Sequence, residues 1–313
     1  MGRRVTTEGA PGPTAGGRPG LPDLSKIGVW CDPRPFTVDE SRLAAYAEAT
    51  NDTNPDRTSG KYANPVFAVV PAWDTAFEML KGTLDPELYS RSLHGEQDIR
   101  LSAPITAGMR LWTRAAVVRA APASTGMTLS ARALSVDDDD RPVVDQIFTM
   151  FIRGASLPAP AGEDIDQARS PAGSLTREVG GVPAARRLDA DQSLRYSKAS
   201  GDTEAVHLDV EVAKSFGFPD VINQGNCTFA IAAQDVMRVV CDDDVSRVRR
   251  IAVRMSSPVL LDDTLTTRIY ADDTSSRIFG WETVLGDGRL CLKSGLIEVG
   301  PPPDSTFGDS THR

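Results

Sequence analysis

The densest run of side chains able to do chemistry in this 313-residue sequence is YSKASGDTEAVHLD, from Tyr196 to Asp209. Within it Asp202 and His207 stand five apart, across a loop-forming Gly-Asp and ahead of a short helix expected to end near Gly217. Such a loop brings an imidazole and a carboxylate to one small space. General acid-base catalysis uses this combination, because histidine titrates near neutral pH and a carboxylate holds a water or takes its proton. The spacing alone also fits, and by itself favours, an Asp202 that caps a turn and a His207 that packs at a helix start. The other histidines are His94 and His312, the latter next to the last residue. A three-histidine metal centre within the folded part of one chain is not expected, and no metal site is assigned.

The elements that must hold this loop come from a duplication. YAEATNDT and YSKASGDT align Tyr46 with Tyr196 and Asp52 with Asp202, 150 residues apart, and RLSAPITAGMRLWTR matches RMSSPVLLDDTLTTR at an offset of 154. Two matches in one order with nearly one offset indicate two repeats. Each reads as an irregular loop, one helix and a run of strands, an α+β plan. In the second repeat Phe229, Ala232, Val236, Val239 and Val240 recur at helical spacing and form a core stripe. The counterpart around Phe67, Val70, Phe77 and Leu80 contains Pro71 and should start late or kink. At the place of His207 the first repeat has Arg57, which stays charged and cannot shuttle a proton. One half is therefore free to keep chemistry while the other serves as scaffold.

The expected boundaries are a disordered arm at 1–24, a first repeat at 25–154, a linker at 155–180, a second repeat at 181–300 and a flexible tail at 301–313, from Gly, Pro and polar-rich composition. Thirty-four basic against 43 acidic residues give a net charge of -9, which removes the broad attraction that drives nonspecific nucleic-acid binding. No apolar run is long enough to span a bilayer and no apolar segment follows Arg3 and Arg4, so neither a membrane partner nor a secretory signal is expected. The four cysteines lie far apart without a Cys-x-x-Cys pair. They suggest a reducing, cytoplasmic setting.

The segment YSKASGDTEAVHLDVEVAKSFGFPDVINQGNCT resembles the hydratase 2 motif of the MaoC-like dehydratases, the (R)-specific enoyl-CoA hydratases. RMSSPVLLDDTL, YAEATNDTNP and LHGEQDIRLSAPITAG extend the resemblance to nearly everything between Ile27 and Val299. It implies a double hotdog, in which each of two long helices is wrapped by an antiparallel sheet. The implied activity is interconversion of (3R)-3-hydroxyacyl and trans-2-enoyl thioesters of coenzyme A or acyl carrier protein. Asp202 and His207 would be the catalytic pair and Gly225 the amide donor to the thioester carbonyl. No cofactor is implied beyond the pantetheine of the substrate.

Three positions depart from the family pattern: Glu204 replaces an asparagine, Ala205 a proline, and Gln224 the histidine before the glycine. Glu204 adds a negative charge beside Asp202 and should raise the pKa of one of the two. It either serves as an additional acid or spoils the site, leaving a binding subunit; Gln224 is the other tuning position. Tyr196, Cys227, Phe67 and Trp73 are candidates for the substrate pocket. His94 reads as a structural hydrogen-bonding residue on a strand. The segment with Arg247, Arg249, Arg250 and Arg254 reads as a solvated strand face or as a contact for coenzyme A phosphates or an acidic carrier. An acyl-thioester-binding subunit without catalysis and a hotdog thioesterase are the alternatives; a monomer is feasible because the two repeats can pair within one chain, and a homodimer or pairing with another hotdog subunit is the other assembly.

Overall fold

The structure, a computed structural model, describes residues 21–166, 177–180, 184–272 and 275–301. The first repeat begins with β1 (Arg34–Thr37), α1 (Glu40–Ala49) and the one-turn α2 (Pro55–Thr58). A 3-10 segment over Pro65–Ala72 then leads into α3 (Trp73–Thr83), followed by α4 (Pro86–Ser90). Four long strands follow: β2 (Ser92–Leu101), β3 (Arg110–Ala123), β4 (Gly126–Val136) and β5 (Pro142–Arg153). Three two-residue strands lie between the repeats, β6 (Ala161–Gly162), β7 (Arg177–Glu178) and β8 (Arg186–Arg187). The second repeat runs through α5 (Gln192–Ser200), a 3-10 turn at Ala205–His207, α6 (Val210–Ser215) and α7 (Gly225–Cys241). It ends in β9 (Val248–Met255), β10 (Thr264–Asp272), β11 (Ser275–Leu285) and β12 (Leu290–Val299).

The central helices differ for the reason the sequence gives. Helix α7 is continuous over 17 residues and buried on nearly every side, from Phe229 and Ile231 to Val236 and Met237, as a helix enclosed by a sheet must be. In the first repeat Asn64 caps the Val66 amide at 3.0 Å and Pro65 starts the turn, but Pro71 has no N–H to give. The chain stays in the tighter 3-10 form through Ala72 and becomes α-helical only at Trp73.

All strands belong to one sheet, ordered β1-β3-β4-β5-β2-β9-β12-β11-β10-β7, with β6 on β3 and β8 on β10. The repeats join through antiparallel β2 and β9, where Asp98 faces Ala252. These two residues are equivalents under the 154-residue offset, so a pseudo-twofold axis passes between them. Arg250 fastens the seam by a two-pronged contact with Asp98, Nε to Oδ1 at 3.0 Å and Nη2 to Oδ2 at 2.6 Å. It is thus an inter-repeat clamp instead of part of a solvated face. At the other end of the axis α1 lies on α5, and the hydroxyls of Tyr46 and Tyr196 meet at 3.4 Å. One continuous apolar core fills the space between helices and sheet.

The expected arm falls outside the described residues up to residue 20. Its end, from Leu21, packs on the core; Asp23 caps the Leu24–Lys26 turn, and its amide donates to the Thr83 carbonyl. The expected linker first returns to the first repeat, where β6 pairs with β3. Residues 167–176 and 181–183 of the crossing, and the tail from 302, lie outside the described residues.

Candidate active site

Helix α5 ends at Gly201, whose φ of 87° suits glycine and reverses the chain so that Asp202 turns inward. The Asp202 amide donates to Ser200 Oγ at 3.1 Å, and its Oδ1 accepts the Glu204 amide at 3.3 Å. The His207 amide in turn donates to the Glu204 carbonyl at 3.0 Å. This knot of local bonds fixes the loop from within. His207 Nδ1 lies 2.8 Å from the Ile222 carbonyl and donates to it, which leaves Nε2 as the basic nitrogen. Ile222 is anchored on Leu260, and the Asn223 amide donates to the Val259 carbonyl at 2.8 Å. The imidazole is therefore aligned by the segment that leads into α7.

Gly225 is the first residue of α7, where backbone amides have no acceptor inside the helix and the dipole is positive. A Cβ at this position would collide with Met255 Sδ and lie 3.1 Å from its Cε. Glycine lets the Met255 side chain of β9 lie directly against the helix start.

Asp202, His207, Gly225, Glu204 and Trp73 all line one cavity of about 630 Å³. Burial raises the Asp202 carboxyl above the ordinary aspartate range; His207 and then the hydrogen bond from the Glu204 amide act against this, and the Glu204 charge adds to the rise as the smallest of these influences. The charge of Glu204 therefore acts in the expected direction, but its own amide outweighs it and desolvation dominates. Glu204 itself is exposed, and its Oε1 accepts the Tyr89 hydroxyl at 3.0 Å. Trp73 stacks on Phe77 with ring centroids 3.9 Å apart, and both line the apolar wall.

Four expected site residues are placed elsewhere. Tyr196 is buried against Tyr46, and Phe67 meets the Tyr46 ring edge-on at 5.2 Å, so both belong to the inter-repeat core. Cys227 points away from the cavity toward the Ala49 carbonyl, and burial pushes its thiol up to about 12. Gln224 is fully buried, with Nε2 donating to the Ser193 carbonyl. The geometry of α7 explains the split: at about 100° per residue, Gly225 and Thr228 face the cavity while Cys227 between them faces α1.

The cavity also takes in residues that sequence reasoning undervalued. His94 makes the expected structural bond, Nε2 to the Glu96 carbonyl at 3.2 Å, yet it also lines the cavity, and burial pulls its pKa down to about 4. Its place in LHGEQ was the available signal. Tyr89 and Lys293 carried none, since Tyr89 reaches the site across the two repeats and Lys293 through the pairing of β12 with β9.

A model of the MaoC like domain matches residues 173–284, which hold the Asp202 loop and α7. The chain carries a MaoC-like domain. Residues 25–146, the first repeat, match a FAS1-like dehydratase domain region. The chain is 27% identical to a probable enoyl-CoA hydratase 2 of Dictyostelium discoideum, over 67% of this chain and 70% of the relative. It is 28% identical to 3-hydroxyacyl-thioester dehydratase Y of Mycobacterium tuberculosis, over 75% and 80%. A MaoC-like dehydratase structure from Phytophthora capsici superposes with a TM-score of 0.77 at 23% identity, covering 88% of this chain and 97% of the other. The double hotdog is the shared fold, and the two wrapped helices and the joined sheet are its parts.

Proposed function

We propose that this chain is a hydro-lyase that interconverts (3R)-3-hydroxyacyl and trans-2-enoyl thioesters, with Asp202 and His207 as the catalytic pair. The observation that carries the reading is that both side chains face the same cavity as the start of α7 at Gly225. In the hydration direction a water rests between the Asp202 carboxylate and His207 Nε2. As its oxygen bonds to the β-carbon, the double-bond electron pair moves toward the thioester oxygen, one water proton passes to the pair, and a proton is returned to the α-carbon. The Gly225 amide meets the charge that develops on the thioester oxygen, where a fixed donor contributes most. Dehydration is the same path reversed, and an Asp202 carboxyl held above its usual range suits the delivery of a proton to the departing hydroxyl.

Arg254 and its cross-strand partner Lys293 line the cavity and supply positive charge for a phosphate of coenzyme A or of carrier-borne pantetheine. The mechanism asks for no other cofactor. Among the described residues all four cysteines are free thiols. No helix among those residues is long and apolar enough to cross a membrane.

The test is turnover of a short and a long trans-2-enoyl-CoA by wild type, Asp202→Asn and His207→Ala, following double-bond absorbance and free thiol together. Loss of absorbance without thiol, giving the (3R)-hydroxy product and falling by orders of magnitude in both variants, supports the hydro-lyase. Thiol release would make the chain a thioesterase. A folded wild type inactive on coenzyme A and carrier substrates, yet stabilised by them, would make it a binding subunit.

A further inference from the structure

The first repeat places one polar side chain against the catalytic loop of the second. Tyr89, on α4, donates its hydroxyl to Glu204 Oε1 at 3.0 Å, across 115 residues of sequence. Tyr89, Glu204, Asp202 and His207 all line the same cavity. Glu204 is the hinge of the catalytic loop, since its amide donates to Asp202 Oδ1 and its carbonyl accepts the His207 amide. Whatever fixes the Glu204 side chain therefore bears on the backbone that spaces the two catalytic groups.

Tyr89 is built to do this. Asp85 caps α4 through the Leu88 amide at 2.7 Å, Leu88 is buried as the anchor, and Ser92 Oγ donates to the Tyr89 carbonyl at 2.6 Å. Lys81 Nζ lies 5.0 Å from the ring centroid. These bonds fix the backbone that carries Tyr89, the half-buried ring packs on the core with Lys81 beside it, and its hydroxyl reaches a carboxylate, a charge-assisted bond stronger than a neutral one. Resting on the hydro-lyase reading, we propose that Tyr89 is a positioning residue: through Glu204 the first repeat sets the spacing of Asp202 and His207. Glutamate at position 204 then has a purpose of its own, because its longer carboxylate spans to the neighbouring repeat.

The experiment is steady-state hydration of an enoyl-CoA by wild type, Tyr89→Phe, Glu204→Ala, Glu204→Gln and the Tyr89→Phe/Glu204→Ala double variant, with thermal midpoints for each. Tyr89→Phe keeps the ring and removes one hydroxyl. It should lower kcat about tenfold, the scale of one bond to a charged group, with KM nearly unchanged and the pH profile of kcat displaced. The loss should vanish in the Glu204→Ala background, and Glu204→Gln, which keeps an acceptor, should retain more activity than Glu204→Ala. Wild-type kcat and pH profile in Tyr89→Phe, or an equal loss with Glu204 already removed, overturns the proposal. Should wild type prove inactive on every enoyl thioester, the hydro-lyase reading fails by itself. The His207 ring titration followed by NMR then decides: a curve displaced by Tyr89→Phe sustains the coupling, and superimposable curves overturn it.

Discussion

Arg57 holds Asp52 by a two-pronged ion pair, Nε to Oδ2 at 2.6 Å and Nη2 to Oδ1 at 3.0 Å, in the part of the first repeat that corresponds to the Asp202 and His207 loop. Its Nη2 also reaches Asp243 Oδ1 at 3.0 Å, just beyond the end of α7. Arg57 and Asp52 are almost wholly buried. Where the second repeat has an imidazole, the first has a cation that locks the repeats together. Arg57→Ala leaves buried carboxylates without their partner and should cost about 3–5 kcal/mol of stability, read as a lowered denaturant midpoint. At temperatures where the variant stays folded, turnover should persist, because the proposed catalytic pair lies in the other repeat.

Asp202 should show the opposite balance. Its folded-state pKa is raised, so between the ordinary aspartate pKa and that raised value the folded chain binds more protons than the unfolded one. Stability contributed by this group therefore falls as pH rises through that window. Asp202→Asn removes the buried charge and should raise stability at neutral pH by about 1 kcal/mol while abolishing turnover. A thermal midpoint below wild type would contradict this account.

His94 contributes in the other direction along the pH scale. With a pKa pulled from 6.5 to about 4 by burial, it favours the folded state fully above about pH 6.5, and this contribution is lost as pH falls toward 4. Because His94 is half-buried on the cavity wall, the difference is at most about 3 kcal/mol. His94→Gln should flatten the acid limb of a stability curve between pH 6.5 and 4, measured by urea unfolding at each pH. A limb as steep as wild type's would assign the acid sensitivity elsewhere.

Gly225→Ala tests the helix start. The added methyl must push Met255 aside or shift the first turn of α7. The variant should fold, with kcat lowered more than ten-fold and KM changed far less, because the displaced amide serves the developing charge more than the ground state. Adding Met255→Ala should recover part of kcat by making room for the methyl. No recovery would mean that the loss does not come from the clash.

What the sequence revealed and what it hid follow from the range of the interactions involved. The duplication, the late start of the first helix at Trp73 and the Asp202 loop are local patterns, carried by Pro71, by Gly201 and by repeated strings. The facing of α7 was not local. Cys227 and Gly225 differ only in rotation about the helix axis, and which side meets the cavity is decided by how β9 and α1 close around it. Phe67 shares the first repeat's helical stretch with Trp73 and Phe77, which made it a pocket candidate, but the 3-10 segment turns it toward Tyr46. The bond between Tyr89 and Glu204 joins residues with no shared motif and was invisible to any periodicity.

The β2 and β9 seam makes the pairing of the two repeats intramolecular. Halves joined in this way meet at an effective concentration set by their connection and not by the number of molecules in solution. Dilution cannot separate them, so the active geometry should survive at concentrations where a pair of separate hotdog chains would fall apart. The tether also frees each half to mutate alone, which is how one could exchange an imidazole for a guanidinium without costing the other its chemistry.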